Sequence, residues 1–306
     1  MIAFLFPGQG SQFSGMGKDL ADNFSAARLV FEEANDALGF DISRMCFSGS
    51  EEDLKLTANT QPAILTVSIA ALRVLEQETE LKADYSAGHS LGEYSALVSA
   101  GAFRLADAVK TVRQRGTFMQ EAVPVGVGAM AAVMGLERAE LEQICQDAAQ
   151  GEVVSPANFN SPGQIVIAGH ATAVGRAIEL CKAQGAKRAL PLPVSAPFHS
   201  SLMEPAAQRL ETVLSKVTVN PLQCPVISNV MADACRDQTL VKQLLVEQVC
   251  APVRWDESVV NMVELGVKHF IEIGPGKVLS GLVKRITKGS NIKNIGAVAD
   301  LDKLQG

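Results

Sequence analysis

The sequence predicts an α/β protein: a strand–helix core interrupted by a smaller inserted module. Three observations predict it. Apolar runs of strand length alternate with helical patterns up to Pro124 and again from Val226. Between them six short elements follow in the order β-α-β-β-α-β, the ferredoxin-like split unit, for which about seventy residues suffice. A G-x-S-x-G pentapeptide, Gly88-His89-Ser90-Leu91-Gly92, lies between a short extended run and a buried helical pattern. The core domain is expected over 1–123 and 195–306, and the insert over 124–194.

Along the chain, Ala3-Phe4-Leu5-Phe6 reads as a buried strand, closed by the turn Pro7-Gly8-Gln9-Gly10. A helix is expected over 24–38. Pro62 is read as opening a second helix over 63–75, since proline suits a first helical turn and unbroken apolarity implies a central position. Tyr85-Ser86-Ala87 lead into Ser90, and Ala96, Leu97, Val98 and Ala100 suit a buried helix behind it. Leu105, Ala108, Val109, Val112, Gly116 and Met119 make one helical stripe. In the insert, strands are expected at 126–134, 153–154, 164–168 and 187–192, with helices at 137–149 and 171–184. Val226-Ile227-Ser228 and His269-Phe270-Ile271-Glu272-Ile273 resume the strands of the core.

Bulk properties narrow the function. With 306 residues, 47% of them hydrophobic and 20% charged, the chain has ample core for a globular protein. A net charge of −6 argues against nucleic acid and anionic membrane as partners. The six cysteines are scattered, with no C-x-x-C pair and no histidine at ligand spacing. They read as reduced structural thiols in a cytoplasmic protein, with no metal site. The apolar run 2–6 is too short for a signal segment or a membrane span.

On a sharp strand-to-helix turn, Ser90 has its Oγ lifted clear of the backbone, and the flanking glycines allow the turn. Free N–H groups at the start of the following helix suit a developing oxyanion. A serine nucleophile needs a base, and the chain has four histidines. His89 is adjacent to Ser90 and is directed away from it, where it lines the pocket. His170 reads as a surface turn residue, and His269 enters an apolar strand. His199 remains, in Ser195-Ala196-Pro197-Phe198-His199-Ser200, a loop where the insert returns to the core. The order serine then histidine matches α/β-hydrolases, but Asp233, Asp237 and Asp256 have no telling context as a third member. A carbonyl oxygen can hold the imidazole instead.

Several blocks together resemble one family. Phe6-Pro7-Gly8-Gln9-Gly10-Ser11-Gln12, Gly88-His89-Ser90-Leu91-Gly92-Glu93-Tyr94, Arg115-Gly116, Ala157-Asn158-Phe159-Asn160-Ser161-Pro162, Pro197-Phe198-His199-Ser200 and Glu272-Ile273-Gly274-Pro275-Gly276 resemble malonyl-CoA:acyl-carrier-protein transacylases of bacterial fatty acid synthesis. The resemblance implies an α/β-hydrolase-like core domain with an inserted ferredoxin-like subdomain. It implies Ser90 as nucleophile, His199 as base, and Gln248 as the residue whose carbonyl orients that base. It further implies an oxyanion hole from the backbone N–H groups of Gln9 and Leu91, and Arg115 as the holder of the malonyl carboxylate. Periodicity cannot choose between Arg113 and Arg115, which lie roughly 200° apart on the helix.

Phe198, beside His199, is expected to mark a malonyl-type pocket. The substrates implied are malonyl-CoA and the phosphopantetheine of an acyl carrier protein, with no bound cofactor. A basic docking patch for that carrier is expected at Lys187-Arg188 or Lys284-Arg285-Lys288. Asn158 and Asn160 read as turn residues, and Gly274-Pro275-Gly276-Lys277 as a structural turn without Walker spacing. The competing functions are a serine esterase or thioesterase with the same pair, a transacylase of a polyketide pathway, and a non-catalytic scaffold.

Overall fold

The computed structural model describes residues 1–194 and 196–302; Ser195, which opens the predicted base loop, and residues 303–306 lie outside the described residues. β1 (Ile2–Phe6) is followed by α1 (Lys18–Asn23), α2 (Ser25–Leu38), α3 (Ile42–Ser48), α4 (Glu51–Lys55) and the long α5 (Thr57–Glu78). Then come β2 (Tyr85–Gly88), α6 (Gly92–Ser99) and α7 (Leu105–Glu121). The middle of the chain forms β3 (Gly128–Met134), α8 (Arg138–Ala149), β4 (Val154–Ser161), β5 (Gln164–His170), α9 (Ala171–Ala183) and β6 (Arg188–Pro191). The remainder forms α10 (Glu204–Leu214), β7 (Val226–Ile227), β8 (Ala234–Cys235), α11 (Val241–Gln248), β9 (Val253–Arg254), α12 (Trp255–Glu264), β10 (His269–Ile273), α13 (Val278–Ile286) and β11 (Asn291–Ile295).

The first sheet has the order β11-β10-β1-β2-β7-β8. Its pairs are parallel except β7–β8. β1 lies between β10 and β2, which is why its apolar run is unbroken: both faces are covered. Ala3 and Leu5 join Ala87, Trp255 and Met262 in one core cluster. Phe4 and Phe6 join Leu65, Tyr94 and Val112 in the other, as the two-residue period of a strand requires. The loops after β1 and β2 thereby leave from the same carboxyl edge, where open parallel sheets place ligands.

The second sheet has the order β6-β3-β5-β4-β9 and its own core, including Val133, Ile144, Ile167 and Val174. β3, β4, β5 and β6 come from the predicted insert, but β9 comes from the later stretch of chain and pairs parallel with β4. Arg138 of α8 reinforces the junction. It bonds Glu257 of α12 at 2.7 Å and stacks over Phe159 with 3.7 Å to the ring centroid. Arg254 binds the same carboxylate. These two arginines, with burial opposing them, hold the Glu257 carboxyl at about 2, below its usual 4.5. A depressed carboxylate contributes stability above its unfolded pKa and loses it as pH falls through the folded one. Wild type is therefore expected to lose its stability advantage over Glu257→Gln between pH 4.5 and about 2, read as melting temperature against pH.

Three expectations need correction. Pro62 lies inside α5, which begins at Thr57. Its missing backbone donor comes after a helix start that local side-chain bonds hold in place. Thr60 Oγ1 donates to the Leu54 and Leu56 carbonyls at 2.5 and 3.1 Å, and Asn59 donates to the Asp53 carbonyl at 2.9 Å. The strand predicted at 153–154 is β4, so Asn158 and Asn160 are strand residues and not turn residues; bulges in the β4–β5 pairing interrupt the alternation that would have revealed it. His170 closes β5 half-buried, and its Nδ1 accepts the Val153 N–H at 2.9 Å. Among the described residues no helix is long and apolar enough to cross a membrane.

Candidate active site

Ser90 occupies the turn between β2 and α6 with φ of 52°, a left-handed conformation that costs a non-glycine residue roughly 1–3 kcal/mol. Two glycines make the turn fit. A Cβ on Gly88 would fall 2.0 Å from the Gly92 backbone, and one on Gly92 would fall 2.1 Å from the Phe6 carbonyl oxygen. Asn229, just after β7, holds the turn from the far side. It accepts the Ser90 N–H at 2.7 Å through Oδ1 and donates to the Gly88 carbonyl at 2.7 Å through Nδ2. Sequence reading missed Asn229, because nothing in the run around Val226-Ile227-Ser228 sets it apart.

His199 meets Ser90 here, with Nε2 2.8 Å from Oγ. Its Nδ1 faces two carbonyl oxygens, Gln248 at 2.8 Å and Ala251 at 3.1 Å. Carbonyls only accept, so Nδ1 carries the hydrogen and Nε2 offers a lone pair to the Ser90 hydroxyl. Burial, then the positive charge of Arg115, push the His199 pKa down to about 3. The ring is neutral and able to take a proton. Asp233, Asp237 and Asp256 are occupied elsewhere: by the Ala234 N–H, by Thr239 and by Arg138 respectively.

Arg115 is 1% exposed, while Arg113 is half-buried, bonded to Asn59 and set over the Phe40 ring. The fold thus separates two arginines that helical periodicity could not rank. Arg115 Nη1 donates to Gln61 Oε1 at 2.9 Å; Nη2 donates to Gln248 Oε1 at 2.9 Å and to Ser90 Oγ at 3.2 Å. Its Nε has no hydrogen-bond partner among the described residues. A buried guanidinium bonded only to neutral oxygens is suited to receive a carboxylate.

These groups line a cavity of about 120 Å³, together with Gln9, Leu91, Phe198 and His89. Met130, Asn158 and Leu192 of the middle stretch close the other side. A cavity of that size beside Ser90 suits a short acyl group. No acceptor among the described residues takes the backbone N–H of Gln9 or Leu91. His89 bonds Asn160 at 2.8 Å through Nε2, and burial lowers its pKa, so it too is neutral. Gln248, at the end of α11, is fully buried.

The two basic stretches converge at one end of the second sheet. Arg188 pairs with Met134, which pairs with Gln164, and Arg285 donates to Gln164. Lys187 lies against Gly135 beside them.

Known proteins share this sequence and fold. A family model described as the acyl transferase domain matches residues 3–305. The chain is 52% identical over 305 residues to the malonyl CoA-acyl carrier protein transacylase of Bacillus subtilis, covering 99% of this chain and 95% of that one. It is 53% identical over 285 residues to the protein of the same name in Escherichia coli K12, covering 93% and 92%. An acyl carrier protein S-malonyltransferase from Vibrio cholerae superposes with a TM-score of 0.97 at 51% identity, covering 99% of both chains. A malonyl-transacylase solved in complex with a type II PKS acyl-carrier protein superposes with a TM-score of 0.96 at 47% identity, covering 99% of this chain and 98% of that one.

Proposed function

This chain belongs to the acyl transferase domain family, and on that premise we propose that it transfers a malonyl group from malonyl-CoA to the phosphopantetheine thiol of an acyl carrier protein. The observation that carries the reading is the Ser90–His199 contact of 2.8 Å beside a buried Arg115. Ser90 Oγ gives its proton to His199 Nε2 and attacks the thioester carbonyl. The Gln9 and Leu91 N–H groups receive the oxyanion. As the intermediate collapses, the carbon–sulfur bond breaks and His199 returns the proton to the departing CoA sulfur. In the second half, His199 takes the proton of the carrier's thiol, the sulfur attacks the malonyl ester, and Ser90 Oγ leaves and recovers the proton. The Gln248 carbonyl keeps His199 Nδ1–H in place throughout. Arg115 grips the free malonyl carboxylate, and Phe198 with His89 bounds the acyl group.

The core is α/β-hydrolase-like: a parallel sheet with its nucleophile turn at the carboxyl edge. The inserted subdomain is ferredoxin-like, supported by the strand order β6-β3-β5-β4 with α8 and α9. The converging basic groups around Gln164 offer a docking face for an acidic carrier. The six cysteines stand as free thiols, which suits a reducing cytoplasm.

Mixing the protein with malonyl-CoA is expected to add one malonyl mass at Ser90, discharged by thiol-bearing carrier protein. Rapid release of malonate without carrier would identify a hydrolase instead.

A further inference from the structure

Among the described residues no carboxylate is hydrogen-bonded behind the His199 imidazole; its Nδ1 faces the carbonyls of Gln248 and Ala251. Yet the malonyl transfer proposed above, on which the role inferred for Glu93 rests, makes His199 an imidazolium in a buried pocket that already holds Arg115. The malonyl carboxylate answers Arg115, which leaves the imidazolium with only neutral carbonyls on its Nδ1 side. Glu93, in the first turn of α6, is 3% exposed, and the reaction scheme gives it no role.

Its bonds lead back to the reacting groups. Glu93 Oε2 accepts from Gln248 Nε2 at 2.7 Å and from the Asn229 backbone N–H at 3.1 Å. Gln248 Nε2 also donates to the Ser90 carbonyl at 3.0 Å, while Gln248 Oε1 accepts from Arg115. Asn229 in turn fixes the Ser90 N–H. Every polar atom of the Gln248 amide is therefore used in one orientation. Flipping it would set Oε1 against two acceptors and the NH2 group against Arg115. Both partners of Glu93 Oε2 are donors, bonds that favour the ionised carboxylate over the neutral acid.

We infer that Glu93 is a positioning residue standing in for the absent triad acid. Its negative charge locks the Gln248 side chain, holds the backbone carbonyl that orients His199, and offsets the imidazolium that forms during acylation. The charge acts through Gln248 and Asn229 and not by contact with substrate.

The reaction should carry a pH signature. Burial raises the Glu93 pKa to about 7, with the Gln248 and Asn229 bonds and the Arg115 charge opposing it. The groups facing it are Arg115 from α7, Tyr94 on its own helix, Cys235 of β8, Ser228 and Asn229 after β7, and Gln248 of α11. Burial raises Tyr94 and Cys235, so both stay neutral, and His199 titrates far lower. A raised carboxylate is ionised only above its shifted value, so acylation in wild type should fall as pH drops through about 7.

The test is the rate of malonyl-enzyme formation, by rapid quench and intact mass, across pH for wild type and Glu93→Gln. The isosteric variant is expected to acylate roughly 10- to 100-fold more slowly above pH 7. Its KM for malonyl-CoA should be unchanged or lower, since removing a negative charge cannot weaken a carboxylate's hold on Arg115. Its acid limb near pH 7 should vanish. A wild-type rate, a retained acid limb, or a KM raised in proportion to the lost rate overturns the inference. Should Glu93→Gln fail to fold, Glu93→Asp keeps the charge and is expected to acylate more slowly with the acid limb retained; loss of that limb overturns the inference equally. No adduct in wild type overturns the malonyl-transfer reading itself.

Discussion

Ser90→Ala is expected to abolish the acyl adduct and to lower malonyl transfer by about 10⁴- to 10⁶-fold, the loss seen when a nucleophile that works as a unit with its base is removed. The size comes from geometry. His199 Nε2 has the Ser90 hydroxyl at 2.8 Å, and the alternative path through water would lack a covalent intermediate altogether. The fold should tolerate the change. Alanine removes only the hydroxyl, and the Asn229 bond to the Ser90 backbone N–H does not depend on it. Carrier malonylation is the measurement, with melting temperature as control. Transfer within tenfold of wild type would remove Ser90 from the mechanism.

The second large effect belongs to Arg115. Arg115→Ala is expected to cut kcat/KM for malonyl-CoA by about 10²- to 10³-fold, equivalent to about 3–4 kcal/mol, and to erase the preference for malonyl over acetyl. The guanidinium is buried, lies 3.2 Å from Ser90 Oγ and otherwise bonds neutral amide oxygens. A malonyl carboxylate would be its strong partner, whereas an acetyl group leaves it without one. Removing it should also relieve the downward pull it exerts on the His199 pKa. Acetyl transfer is thus expected to hold or rise while malonyl transfer falls. Parallel kcat/KM measurements on the two thioesters decide it: an unchanged ratio removes Arg115 from specificity.

Much of the frame was legible along the chain because its signals are local. The unbroken apolar run of β1, the 3.6-residue stripe of α7 and the order of strand-length and helix-length segments between Gly128 and Pro191 are each written in neighbouring residues. Failures came where local bonding and strand irregularity depart from the simplest sequence rule. Pro62 reads as the helix opener, whereas α5 begins at Thr57, its start held by Asn59 and Thr60 bonds to the carbonyls of Asp53, Leu54 and Leu56. β4 was cut short because its bulges break the alternation. Asn158 and Asn160 consequently passed for turn residues, although one lines the cavity and the other holds His89.

By itself the sequence determined the nucleophile turn, since glycines at 88 and 92 with serine between them encode a backbone path by sterics alone. Through the same local rules it also determined the alternation that builds each sheet. The tertiary structure decided how groups meet Ser90: Arg115 from 25 residues away, His199 from 109, Gln248 from 158, and Asn229 from 139, which no sequence signal names. It showed physically why Arg115 and not Arg113 reaches the site, which helical periodicity could not, and it gave Glu93 its buried position. Burial and through-space charge depend on everything that surrounds a group, and no stretch of neighbours in the chain carries that information.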